Sequence, residues 1–97
     1  MKKYVIERPI PGVGSQTRDE LHAASARSCR ALEELGPDIQ WVHSYVTDDK
    51  IYCIYLAENE QIVRDHARLT ELPAVRISAV RAIIDPTMCS AATADVA

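Results

Sequence analysis

Two runs dense in aromatic and branched apolar residues flank Asp48-Asp49 over Gln40 to Ala57 (QWVHSYVTDDKIYCIYLA), and period two sends their side chains to alternate faces. Runs rich in Val, Ile, Tyr and Trp around a short acidic turn predict a β-hairpin. With Thr47 facing Lys50, Val46 pairs with Ile51, Tyr45 with Tyr52, Ser44 with Cys53, His43 with Ile54 and Trp41 with Leu56. That register puts Trp41, His43, Tyr45, Tyr52, Ile54 and Leu56 on one face. Val42, Ser44, Val46, Ile51, Cys53 and Tyr55 take the other. Both faces are largely apolar, whereas a sheet with one wet face shows polar residues at every second position. The pattern predicts a cover on each side.

The flanking segments supply one cover. Lys3 to Arg8 (KYVIER) reads as a first strand, stopped by Pro9 and Pro11. Gly12 and Gly14 follow without a phosphate-cradling pattern and read as turn residues. Thr17-Arg18-Asp19-Glu20 is a capping box that opens a helix from Arg18 to about Leu35. Leu21, Ala24, Ser25, Ser28, Leu32 and Leu35 form its inward stripe, with Cys29 at the edge. Gly36-Pro37 ends it. Asn59 caps a second helix over Glu60 to Leu69, with Ile62, Val63, His66, Ala67 and Leu69 facing inward. Arg76 to Asp85 (RISAVRAIID) alternates as a last strand, closed by Pro86. Thr87 to Ala97 is small, polar and aperiodic, and is expected to be a mobile tail on a domain spanning 1–86.

The order β-α-β-β-α-β predicts the α+β, ferredoxin-like split-βαβ topology. Its four-stranded antiparallel sheet should run 4-1-3-2, with both helices on one face. The simplest cover for the other face is a second copy, giving a sheet-to-sheet homodimer.

Composition narrows the partners. The chain has 97 residues, enough for one domain with a core of its own. Its net charge of −3, with Lys and Arg scattered, argues against the basic stripe of a nucleic-acid binder. Neither a signal peptide nor a membrane span is visible, so no membrane partner is expected. Cytoplasmic, reduced thiols are then the default for Cys29, Cys53 and Cys89. Three cysteines without a CxxC pair are also too few for a four-thiolate iron–sulfur cluster within one chain.

The strings KYVIER, ELGPDIQWVHSYVTDDKIYCIYLA, RDHAR and AIIDPT together resemble small ferredoxin-like proteins grouped under a domain of unknown function. One member of that family is described as an actinobacterial nickel-binding, nickel-responsive protein. The resemblance covers roughly residues 3 to 87. It implies a ferredoxin-like dimer with a role in nickel binding, sequestration or detoxification. Two departures stand out. Leu69-Thr70-Glu71-Leu72-Pro73 replaces an expected glycine-glycine-phenylalanine-proline type of turn, and Met88 and Cys89 continue past Pro86-Thr87.

Nickel(II) favours imidazole, with thiolate and carboxylate as partners. The candidate metal ligands are therefore His43, His66, His22 and Cys53, beside Cys29 and surface carboxylates. No His-x-x-x-His or Cys-x-x-Cys pair exists, so a site must be assembled from separate elements. His43, on the aromatic face, reads either as a ligand or pH-sensitive group at a dimer seam, or as an interface histidine bonded to a tyrosine. His66, at the margin of the second helix's stripe, reads as a ligand or as packing, with Asp65 and Glu60 as neighbours. His22 lies near Asp19 and Glu20 and is expected to be exposed, as a weak surface site or a plain solvated residue.

Cys53 should face the helices, with Cys29 descending toward it. Both read as structural thiols, because no cation that would make a reactive thiolate is fixed by the sequence. Asp48 and Asp49 read as turn formers. The alternative function is a small enzyme or ligand-binding module, with a pocket between sheet and helices lined by His43, His66 and tyrosines. No catalytic residue is assigned: Ser44 and His43 are adjacent in a strand and point to opposite faces.

Overall fold

The computed structural model describes residues 1–89. Strand β1 (Lys2–Pro9) leads through a single 3-10 turn (Val13–Ser15) into helix α1 (Arg18–Leu35). The hairpin follows as β2 (Ile39–Val46) and β3 (Lys50–Ala57), then helix α2 (Glu60–Thr70) and a short β4 (Arg76–Ala79). The sheet order is β2-β3-β1-β4, with every pairing antiparallel. This is the predicted 4-1-3-2 order read from the opposite edge. The core joins Tyr4, Ile6, Ile39, Cys53, Tyr55 and Ala57 of the sheet to Val63 of α2, with Leu32 and Leu35 of α1 against it. Both helices therefore cover one face.

Local chemistry sets the helix ends. Thr17 Oγ1 accepts from the Glu20 amide at 3.1 Å, and Glu20 Oε1 accepts from the Thr17 amide at 3.0 Å, which completes the capping box. Gly36, with φ of 85°, turns the chain out of α1. Asn59 Oδ1 caps α2 by accepting from the Ile62 amide. At the other end Glu71 takes φ of 57°, a left-handed conformation that favours glycine. This is the turn where the sequence departs from the expected glycine pair. Leu69, predicted to face inward, is 45% exposed, and Thr70 is buried in its place. The helix thus turns its last buried contact to a residue whose hydroxyl bonds back to the His66 carbonyl.

The hairpin register is as predicted from the turn up to His43–Ile54, and then shifts. Between His43 and Trp41 the strand carries one extra residue, a β-bulge at Val42. Trp41 therefore lies opposite Tyr55 instead of Leu56. It changes face, and its indole N–H donates to Ser44 Oγ at 3.0 Å. Trp41 packs against the core, while Val42, predicted for the helix side, is 43% exposed. The bulge buries the larger ring and satisfies its N–H, at the expense of the smaller side chain.

The last strand is shorter than the predicted Arg76 to Asp85. Its register places Ala79 across from Tyr4, and Val80 N–H still donates to the Lys3 carbonyl at 2.8 Å. Strand β1 begins at Lys2, so the ladder has almost no partner left beyond that point. Ile83 and Ile84 are 65% and 79% exposed. The tail expected over 87–97 lies outside the described residues from 90 onward.

The hairpin turn has a second role that turn chemistry alone does not predict. Asp49 Oδ1 accepts from Gly12 N–H at 2.9 Å, and the Asp49 and Asp48 carbonyls accept from Ile10 and Gly14. A Cβ at Gly14 would stand 2.8 Å from Asp48 Cα and from the Thr47 carbonyl oxygen. The loop leaving β1 is thus clamped onto the hairpin, backbone against backbone.

Candidate functional site

The covered side of the sheet holds a buried polar cluster. Alternation along β1 sends Tyr4, Ile6 and Arg8 inward, and Arg8 is fully buried. Its Nε donates to Cys53 Sγ at 3.3 Å and its Nη1 to the Pro73 carbonyl at 3.1 Å. Nη2 has no hydrogen-bond partner, and Arg8 forms no ion pair among the described residues. A buried cation without a counter-charge is costly, because neither water nor a carboxylate replaces its hydration.

Around it stand His66, Ser28 and Tyr55. His66 is fully buried under α2; its Nε2 lies 3.1 Å from Ser28 Oγ, and its Nδ1 has no partner among the described residues. Its ring packs tilted against Tyr55, with centroids 5.0 Å apart. Burial, and then the positive charge of Arg8, lower its pKa to about 4, so the ring is neutral at pH 7. Burial, followed by the Cys53 thiol, pushes the Tyr55 hydroxyl up to about 12 against the opposing pull of Arg8 and Ser28.

A cavity of about 170 Å³ opens in this cluster between α1 and the hairpin. Leu21, Ala24, Val46, Ile51 and Leu72 make its apolar walls, and Trp41 adds an aromatic one. Arg8, Ser28, Cys53 and Tyr55 supply the polar surface. The expected pocket between sheet and helices exists, but neither His43 nor His66 lines it. The bulge is one reason, since it brings Trp41 to the cavity while His43 stays on the other face. Cys29, expected to approach Cys53, is exposed on α1, whereas Cys53 is buried as predicted.

The uncovered side is built differently. Val5, Tyr52, Ile54 and Leu56 on the two central strands are only half-buried, and among the described residues neither helix lies above them. On the edge strand β2, His43 and Tyr45 are exposed. His43 Nε2 lies 3.0 Å from Tyr45 Oη, and the rings meet edge to face at 4.9 Å. The i, i+2 spacing of a strand puts the two on one face, as predicted. Glu7 and Lys50 pair on this side at 2.7 Å, and the Lys50 bond holds the Glu7 carboxyl below its usual pKa. His22 is exposed on α1.

The four predicted ligands do not converge within one chain. Among the described residues, no three His, Cys, Asp or Glu side chains are grouped to hold an ion. Cys53 and His66 share the interior with Arg8, while His43 and His22 stand at separate surfaces. Sequence reasoning missed Arg8 as the centre of the buried cluster. The signal was available in the period of KYVIER, which puts Arg8 in step with Tyr4 and Ile6.

No curated protein matches the chain. Its structure is similar to the crystal structure of SCO4226 from Streptomyces coelicolor A3(2), with a TM-score of 0.69 and 17% sequence identity. The match covers 84% of this chain and 99% of that one. At that identity the likeness speaks for the fold alone. The family model described as "Nickel responsive protein SCO4226-like" matches residues 4–80, which takes in both helices and all of the sheet except the first two residues of β1. The chain belongs to the SCO4226-like family of nickel responsive proteins.

Proposed function

We propose that the protein binds nickel in the cytoplasm as a homodimer, in a sequestering or detoxifying role, and that His43 is the principal donor each copy contributes. The observation that carries this reading is the position of His43, an exposed imidazole on the sheet face that neither helix covers. The family's nickel responsiveness supports the choice of metal.

Charge supports the choice of face. Cys53 and His66 have donor atoms suited to nickel, but both adjoin the buried Arg8 guanidinium, which repels a second cation in a poorly screened interior. Tyr45 and His43 lie in water, where an ion can keep part of its hydration shell. One imidazole is a weak site by itself, so a firm one takes further donors from a second copy, with His22 and its acidic neighbours as an independent, weaker surface site. A sheet-to-sheet dimer would also cover Val5, Tyr52, Ile54 and Leu56.

Calorimetric titration of nickel, zinc, copper and cobalt into reduced, tag-free protein tests the reading, with sedimentation of the same samples. We expect saturable nickel binding by a dimer, lost in His43→Ala and kept in His22→Ala. A monomer, or a His43→Ala variant that binds nickel as the parent does, would overturn it.

A further inference from the structure

We propose that the cavity between α1 and the hairpin is a binding site for a small organic carboxylate, with Arg8 as the anchor for its charge and Trp41 as one wall for its apolar body. The site is independent of the nickel reading, which concerns a cation on the other face of the sheet.

Three observations converge. The first is the unmatched cation. Arg8 is fully buried, two of its three nitrogens are engaged by Cys53 and the Pro73 carbonyl, and Nη2 has no acceptor among the described residues. A guanidinium in that state lacks an anion, and a carboxylate is its best-matched partner.

The second observation is the space. The cavity of about 170 Å³ touches Arg8 and is walled by Leu21, Ala24, Ile51 and Leu72. An apolar cavity of about 150 Å³ accommodates benzene, so this one suits a ring or short branched chain bearing one acid group. A bare inorganic anion would leave the apolar walls unfilled.

The third is the state of the neighbours. His66 and Tyr55 are both neutral at pH 7, because burial and the surrounding charges move the two groups in opposite directions away from it. The cluster thus offers hydrogen-bonding groups and the positive charge of Arg8, and no carboxylate to compete with an incoming acid. Among the described residues no Asp or Glu lines the cavity.

The turn after α2 shapes this site. Leu72 is a cavity wall, and Pro73 fixes one arm of the guanidinium. Both follow directly on Glu71, the residue held in the left-handed conformation. The segment in which this chain departs from the expected glycine turn is therefore the segment that forms the rim.

The test uses the full chain labelled with nitrogen-15 and follows its single tryptophan. Trp41 gives one indole N–H signal, from a group inside the site that donates to Ser44. Benzoate is titrated as the probe, with benzyl alcohol as a neutral analogue of similar size and inorganic phosphate as a bare anion. We expect benzoate to move the Trp41 signal to saturation, and benzyl alcohol to bind about tenfold more weakly or worse, as loss of a charge-assisted bond implies. Ala24→Leu, which fills the cavity and leaves Arg8 in place, should abolish the benzoate response. Arg8→Gln should bring benzoate down to the level of the alcohol, provided the variant gives a folded spectrum. The proposal fails if benzoate does not saturate, if the alcohol binds equally well, or if Ala24→Leu keeps the response. Phosphate binding more tightly than benzoate would equally overturn it, since the apolar walls would then contribute nothing.

Discussion

His66 and His43 lie on opposite sides of one sheet and have opposite surroundings. His66 is sealed under α2, held at Nε2 by Ser28, packed on Tyr55 and kept neutral by burial and by Arg8. His43 stands in solvent with one tyrosine hydroxyl for company. The covered side uses polar groups to occupy an interior, and that interior is cationic. The open side leaves its polar groups available. The same imidazole is therefore sealed as a structural residue on one side and left open as the proposed metal donor on the other, and what differs is the cover above it, not the residue.

The largest expected effect separates the two faces by stability. Tyr55→Ala removes a ring that is 2% exposed and should cost about 3–5 kcal/mol in urea unfolding, as for other buried aromatics. Tyr45→Ala, on a residue that is 57% exposed, should change the unfolding free energy of the monomer by no more than about 0.5 kcal/mol. Similar losses at the two positions would break the comparison.

Acid should act on the covered face through His66. The pKa of His66 falls to about 4 in the folded protein from an ordinary value of 6.5. Between those values the unfolded chain binds the proton and the folded one does not, so stability is complete above pH 6.5 and declines as pH falls toward 4. The loss should be on the order of 3 kcal/mol. In a His66→Gln variant, the part of the acid sensitivity that lies between pH 6.5 and 4 should shrink.

Two smaller effects probe the loops that frame the covered side. Gly14→Ala forces a Cβ against Asp48 and Thr47, where the backbone cannot yield cheaply, and should destabilise by about 1–3 kcal/mol in the same assay. Glu71→Gly relieves the left-handed strain after α2 and should stabilise by about 0.5–1 kcal/mol, the strain relief exceeding glycine's added chain entropy. A loss at Glu71→Gly would mean that the side chain contributes more than its backbone conformation costs.

Much of the fold was legible because it depends on local rules. The capping box at Thr17, the glycine stop at Gly36 and the alternation of Ile51 to Leu56 each follow from neighbouring residues. The misplaced features depend on distant ones. The bulge at Val42 arises because Trp41 finds Ser44 and the core on the helix side, which a period-two pattern does not contain. Strand β4 stops early because its partner starts at Lys2, although RISAVRAIID alternates throughout.

The candidate site was legible only in part. Cys53 and His43 lie on the faces their strand positions imply. Arg8 was passed over because a charged residue at a strand end reads as solvated, and its burial depends on Pro73, which is 65 residues away in sequence. The pocket expected around His43 and His66 was placed correctly between sheet and helices, but its lining follows from Arg8 and the bulge.

The most direct test of the difference between the two faces is to watch the histidine rings individually while nickel is added. Long-range proton–nitrogen spectra of the labelled protein resolve imidazole signals. At substoichiometric nickel the account predicts that the His43 ring signals shift or broaden first, while those of His66 stay unchanged. Perturbation of His66 ahead of His43 would contradict it, because the metal would then be entering the interior that Arg8 makes cationic.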